Sequence, residues 1–280
     1  MNGTINMRKI RLITNCERPV NYLMKIAVDY WLKTFNASEI IFLVNNITNF
    51  DMVADLKHNF NIDATRVHSI DEAANTDGCL VWDYLKCNDY GRYHDLDAII
   101  VNDLQKKLLD NGTDVVIFLD RDELLYHENL RDVLNSFNED VIRPRGIEII
   151  QNSNELALDI TKPLNEQRSY IRYYASKSKP CITKISIEWS IGRHLTACNT
   201  YPHGDDAGPL AEYPGLYLIH LDKIDKDLLY NLRLESNNIF LNNRYHVGVI
   251  DREKYLQWFY ESHTNNELYE DKTFLQKIQI

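Results

Sequence analysis

The densest run of chemistry-bearing residues in this 280-residue chain is D-R-D-E at 120–123, directly after the apolar stretch VVIFL. Asp120, Asp122 and Glu123 repel one another at such spacing. Two aspartates at i and i+2 can converge on one point where the chain turns, and a divalent cation between them relieves the repulsion. Mg²⁺ and Mn²⁺ favour such oxygen ligands and keep positions open for phosphate oxygens. The same residues also suit an acidic loop at a strand end, with Asp122 capping the next helix. Glu123 reads as a loop-orienting or capping residue rather than a metal ligand.

The flanking segments decide how rigidly this cluster is held. DVVIFL has no alternation, as expected of a strand buried on both faces of an α/β sheet. Before it, Ile100, Val101, Leu104 and Leu108 share one helical face over 95–110. After it, Leu130, Val133, Leu134 and Phe137 share another. KIRLITN (9–15) and EIIFLVNN (39–46) read as buried strands on either side of a helix carrying Leu23, Ile26, Ala27, Tyr30 and Trp31 on one face. That is a βαβ unit with parallel strands. ATRVHSI (64–70) is a candidate third strand, and 140–150 is extended with Pro144 marking an edge or a break. KPCITKISIEW (179–189) and GLYLIHL (215–221) read as strands, and 222–236, 251–263 and the tail as helices. The expectation is a mixed, mostly parallel Rossmann-like α/β sheet over 1–225, with a helical C-terminal extension over 226–280 on the same domain.

A net charge of −10 disfavours nucleic acid as a partner, because such binders show a basic excess or stripe. Five scattered cysteines, none in a close C-x-x-C pair, argue against a disulfide framework or a zinc site. No apolar leader and no run of membrane-span length is visible, which fits a soluble cytoplasmic protein, at most peripheral to a membrane.

VVIFLDRDELL resembles the D-x-D segment of GT-A glycosyltransferases, and of their family-2-like groups in particular. The likeness extends to the N-terminal βαβ unit, to EWSIGRH (188–194), and to a strand ending in histidine, LYLIHL. It implies a GT-A fold and transfer of a sugar from a nucleoside-diphosphate donor to an acceptor hydroxyl on a glycan or other molecule, with inversion. In the family the D-x-D carboxylates hold Mn²⁺ or Mg²⁺, which grips the donor diphosphate. Carried over, Asp120 contacts metal or ribose, Asp122 is the main metal ligand, and His220 completes the coordination. Asn15 and Asn45, at strand ends, would cradle base and ribose. Lys184 and Arg193 would touch phosphate, and Trp189 would either stack on the sugar or sit in the core. The general base would come from Glu188, His194, Asp205 or Asp206, although the family's usual E-D pair is not evident. HGDDAG (203–208) reads as a loop closing on the site or as a solvated acidic loop.

Two other readings share these residues. One is a binding module that keeps a sugar-nucleotide fold without turnover. The other is a haloacid-dehalogenase-like phosphohydrolase, which also places D-x-D after an apolar strand. That motif wants a small hydroxyl residue where this chain has Leu124.

Overall fold

The computed structural model describes residues 7–174, 177–189, 211–239, 252–264, 268–278 and 280. Arg193, His194, Asp205 and Asp206 lie outside the described residues.

The chain opens with repeated βα units. Strand β1 (Ile10–Cys16) leads to helix α1 (Tyr22–Thr34), β2 (Ile40–Asn45), α2 (Met52–Phe60) and β3 (Thr65–Val67). Then come α3 (Ile70–Asn75), β4 (Leu80–Leu85), α4 (Tyr90–Asp110) and β5 (Val115–Phe118). The five strands are parallel in the order β3-β4-β2-β1-β5. The helix starts are capped by short polar side chains: Asn21 accepts from Met24 N at 3.0 Å, and Asp89 from Arg92 N at 2.9 Å. Asp89 explains why α4 starts at Tyr90, five residues earlier than its apolar face indicates.

The unbroken apolar runs divide between two faces because successive strand side chains point oppositely. Leu12, Phe42, Val115 and Ile117 pack on one side with Met24, Val28 and Trp31 of α1. Ile13, Ile41, Val116 and Phe118 pack on the other with Val101, Leu104 and Leu108 of α4. Each such buried residue contributes about 1.5–3 kcal/mol of transfer free energy, so β1 and β5 form a stiff central pair.

Beyond β5 the sheet becomes mixed. The later elements are β6 (Glu123–Tyr126), α5 (Leu130–Ser136), β7 (Val141–Ile150), β8 (Tyr170–Tyr173), β9 (Ile182–Thr183) and β10 (Glu212–His220). They are followed by α6 (Lys226–Ile239), α7 (Arg252–Thr264), β11 (Tyr269–Glu270) and α8 (Lys272–Ile278). Short β9 joins β5 to β7, antiparallel to both. β10 runs parallel to β7 and antiparallel to β6. Of the strand expected over 179–189, only β9 is continuous, since the chain leaves the ladder at Lys184. Pro144 breaks nothing: β7 runs straight through it. The β7–β10 register shifts on the β10 side, between Glu212 and Tyr217, where Pro214 and Gly215 (φ 71°) lie. Helix α8 packs against the β6–β10 pair, with Phe274 5.2 Å from the Tyr217 ring and 5.7 Å from that of Tyr126.

The chain turns from β1 to β2 on one side and reaches β5 on the other. In open α/β sheets ligands bind beyond the strands' carboxyl ends at such a switch point, and Asp120–Glu123 leaves β5 there. Among the described residues no helix is long and apolar enough to cross a membrane.

Candidate functional site

Leu119 N–H still bonds to Ile13 O of β1 at 3.1 Å, so the backbone is held in the sheet to the residue before Asp120. A tight turn follows. Glu123 N–H donates to Asp120 O at 3.0 Å, and Glu123 Oε2 accepts from Asp120 N–H at 2.9 Å. The chain then enters β6, which pairs with the end of β10 and sets Glu123 opposite His220. Leu221 N–H donates to Asp122 O at 2.9 Å and extends this ladder by one rung, and Asp222 follows directly, its charge acting on Asp122. Trp31 of α1 donates its indole N–H to Glu123 O at 3.0 Å and locks the turn from behind.

Glu123 is therefore neither exposed nor a helix cap. It is a buried hub. Lys179, fully buried, donates from Nζ to Asp120 Oδ2 at 2.7 Å and lies 2.6 Å from Glu123 Oε1. His220 Nδ1 is 3.2 Å from the same Oε1, and its Nε2 is 3.1 Å from Lys177 O. A carbonyl only accepts, so Nε2 carries a hydrogen. Burial, aided by the charges of Lys177 and Lys179, holds the His220 pKa well below its usual value, and the ring is neutral. Nδ1 is then an acceptor facing Glu123 Oε1, an arrangement that favours the protonated carboxyl. In agreement, burial pushes Glu123 up to about 8, against the pull of Lys179. Both His220 nitrogens are thus engaged inside the protein, and neither is turned to Asp122.

The segment carrying the two lysines is seated on Gly146 of β7. Gly146 N–H donates to Ser178 Oγ at 2.7 Å, and Gly146 O accepts from Tyr174 N–H at 3.1 Å. A Cβ on Gly146 would stand 2.5 Å from Lys177 C and from Ser178 N, so only glycine permits this approach. Trp189 supports the same segment, donating its indole N–H to Pro180 O at 2.8 Å. Below it, buried Glu148 accepts from Arg172 Nε at 2.8 Å and pairs with Lys223 at 2.9 Å. Lys177 Nζ bridges outward, 3.9 Å from Glu148 Oε1 and 3.7 Å from Asp222 Oδ2. Burial opposes its charge, yet Asp222, Glu148 and Asp122 hold its pKa above the ordinary lysine value.

Asp122 differs from its neighbours. Its carboxylate makes no hydrogen bond or ion pair among the described residues. Burial raises its pKa, and the charges of Asp222 and Asp120 raise it further. Asp222 Oδ1 is enclosed and likewise has no hydrogen-bond partner. Asp122 and Asp222 are the two carboxylates in this cluster with coordination capacity left over. No group of three His, Cys, Asp or Glu is spaced to hold a metal ion among the described residues.

The other expected site residues are scattered. Asn15 donates to Tyr93 Oη at 3.3 Å and Asp97 Oδ2 at 3.5 Å, inside a buried network that reaches Glu17 and through it Arg121. Asn45 is fully buried and exchanges two 2.9 Å bonds with the Cys87 backbone, stapling the β2 and β4 ends together. Lys184 lies at the opposite end of β5, on Asn138 O at 2.6 Å, because antiparallel β9 carries the chain away from the carboxyl edge. Trp189 is core, 6.0 Å from the Phe118 ring. Glu188 is exposed beside it. Sequence reasoning missed Lys177, Lys179 and Asp222. The signals were S-K-S-K-P at 176–180, two lysines at one spacing before a proline, and the aspartate two residues past His220.

No protein-family profile matches the chain, and no curated protein matches it. Among solved structures it aligns with S. aureus TarS residues 1–349 at 12% identity and a TM-score of 0.30, covering 92% of this chain and 73% of that one. A longer S. aureus TarS structure aligns at 12% identity and a TM-score of 0.29, covering 92% and 44%. Likeness at this level carries no functional argument.

Proposed function

We propose that the chain is a metal-dependent glycosyltransferase that moves a sugar from a nucleoside-diphosphate donor to an acceptor hydroxyl on a glycan or other molecule, with inversion. The observation that carries the reading is Asp122. It is an unbonded carboxylate at the switch point of an α/β sheet, beside Asp222, whose Oδ2 pairs with Lys177 while its Oδ1 has no hydrogen-bond partner, in a cluster where the other acids are matched by buried lysines or arginine. The donor set suits Mn²⁺ or Mg²⁺. It differs from the set implied by family resemblance, because Asp120 is held by Lys179 and His220 by Glu123 and Lys177 O. Asp122 and Asp222 would hold the cation.

Bound there, such an ion supplies charge neutralisation for a departing diphosphate. The protein's own part is preorganisation. Lys179 holds Asp120 and Glu123 as a nearly neutral unit, so that charge repulsion does not splay the turn carrying Asp122. Lys177 stands beside Asp222 as a fixed positive charge, of the kind that stabilises developing negative charge in a partly dry site. The acceptor's proton must go to a base, for which Glu188, His194 and Asp206 remain the candidates.

The test is incubation with UDP-, GDP- and dTDP-sugars with and without Mn²⁺. Slow donor hydrolysis that requires the metal is expected. Binding without turnover, even with acceptors present, would favour the binding module instead. Hydrolysis of simple phosphomonoesters would favour the phosphohydrolase, although Leu124 is fully buried in β6 and offers that chemistry nothing.

A further inference from the structure

Arg18, just past β1 at the carboxyl edge of the sheet, is 4% exposed. Its Nη1 donates to Leu232 O at 3.2 Å and to Glu235 Oε2 at 3.1 Å, both on α6. The two partners are unequal. Arg18 is buried, whereas the Glu235 side chain is 58% exposed. The pair borders a cavity of about 500 Å³ whose walls also include Asn21, Thr48 and Phe50. Asn21 is the N-cap of α1, so the N-terminus of a 13-residue helix opens on the same cavity, and the first turn of α1 has no acidic residue. A helix N-terminus favours anions through its unbonded N–H groups and its partial positive charge.

A buried guanidinium needs a counter-ion, because an uncompensated buried charge costs several kcal/mol. Burial lowers the Arg18 pKa from its ordinary value, and Glu235 is the main carboxylate opposing that fall. Glu17, the residue before Arg18, pairs with Arg121 of the acidic turn, which puts Arg18 on the same edge of the sheet as the carboxylate cluster. Glu235 need only swing into solvent to leave. Arg18 and the helix N-terminus would stay where they are.

We propose that Arg18 and the N-terminus of α1 form an anion site for the donor diphosphate, and that Glu235 is its resident counter-ion, which the donor displaces. This rests on the donor reading above. It makes α6 a brake on donor binding: the helix grips Arg18 while the site lacks donor and is released from it when donor enters. The substrate class selected is a nucleoside diphosphate, whose phosphates replace the carboxylate and whose base fits the apolar wall at Phe50.

Pyrophosphate, UDP and GDP are titrated into the wild-type protein, Glu235→Gln and Arg18→Gln, with Mn²⁺ present. Removing an exposed competing carboxylate should tighten pyrophosphate and nucleotide binding by up to about fivefold, the equivalent of an exposed ion pair. Arg18→Gln should weaken both. If Glu235→Gln binds them no more tightly than wild type, the inference is overturned while the donor reading stands. If Glu235→Gln tightens pyrophosphate but no protein prefers a nucleoside diphosphate, the anion site stands and the donor reading fails. Arg18→Gln binding as wild type, with an unchanged melting temperature, also overturns the inference.

Discussion

Gly146→Ala reaches the site without touching any charged group in it. The new methyl would lie 2.5 Å from Lys177 C and Ser178 N, and Tyr174 O is 2.7 Å away. Carbon atoms in contact settle near about 3.5 Å, so the Lys177–Lys179 stretch must retreat by roughly 1 Å. That retreat opens the 3.1 Å contact of Lys177 O with His220 and the 2.7 Å bond from Lys179 to Asp120. Overpacking costs about 1–3 kcal/mol, and a lost bond to a charged group about 1.5–3 kcal/mol. At about 2–4 °C per kcal/mol for a chain of this size, the melting temperature should fall by roughly 5–20 °C. Differential scanning calorimetry measures it. Titration with nucleoside diphosphate and Mn²⁺ should show weaker binding at temperatures where the variant is folded. A variant that melts with the wild type and binds nucleotide equally well would refute the claim that the glycine seats the lysine segment on β7.

Three further outcomes follow from the same geometry. Lys179→Met strands Asp120 without its buried cation, removes a partner of Glu123 and should destabilise the fold by about 3–5 kcal/mol in urea unfolding, whereas a loss below about 1 kcal/mol would mark the pair as a solvated one. Glu123 keeps its proton in the folded state up to about pH 8 but loses it near 4.5 when unfolded. Its contribution to stability therefore falls as pH rises between those values. Glu123→Gln should flatten the change in urea midpoint between pH 5.5 and 7.5, and a wild-type slope in that variant would mean that the buried carboxyl is ionised throughout.

Much of this arrangement is written in local pattern. The apolar runs of β1, β2 and β5 and the faces of α1, α4 and α5 are visible because each side chain's burial repeats with the period of its own element. The acidic turn is visible because it interrupts such a run. The partners of that turn are not visible in the same way. Lys179 reaches Asp120 from 59 residues away, and only the antiparallel path of β9 decides that Lys179, and not Lys184, stands at the carboxyl edge. His220 was legible as a strand-end histidine, but the identity of its neighbour was not. The β6–β10 register puts Glu123 opposite it and leads on to Asp222, whose charge acts on Asp122. Asn45 and Trp189 show the converse, residue types that suit ligand contact but are used up by backbone groups. β6 and β11 are short, and each pairs with a strand remote in sequence.

The central claim is that Asp122 and Asp222 hold a divalent cation on which donor binding depends. Calorimetric titration of UDP and GDP, with and without Mn²⁺, into the wild-type protein, Asp122→Asn and Asp222→Asn tests it most directly. The wild type should bind one nucleotide more tightly with Mn²⁺ than without it, and each variant should lose that metal-dependent gain while melting within a few degrees of the wild type, about 1 kcal/mol of stability. A gain that survives intact in Asp122→Asn would contradict the account.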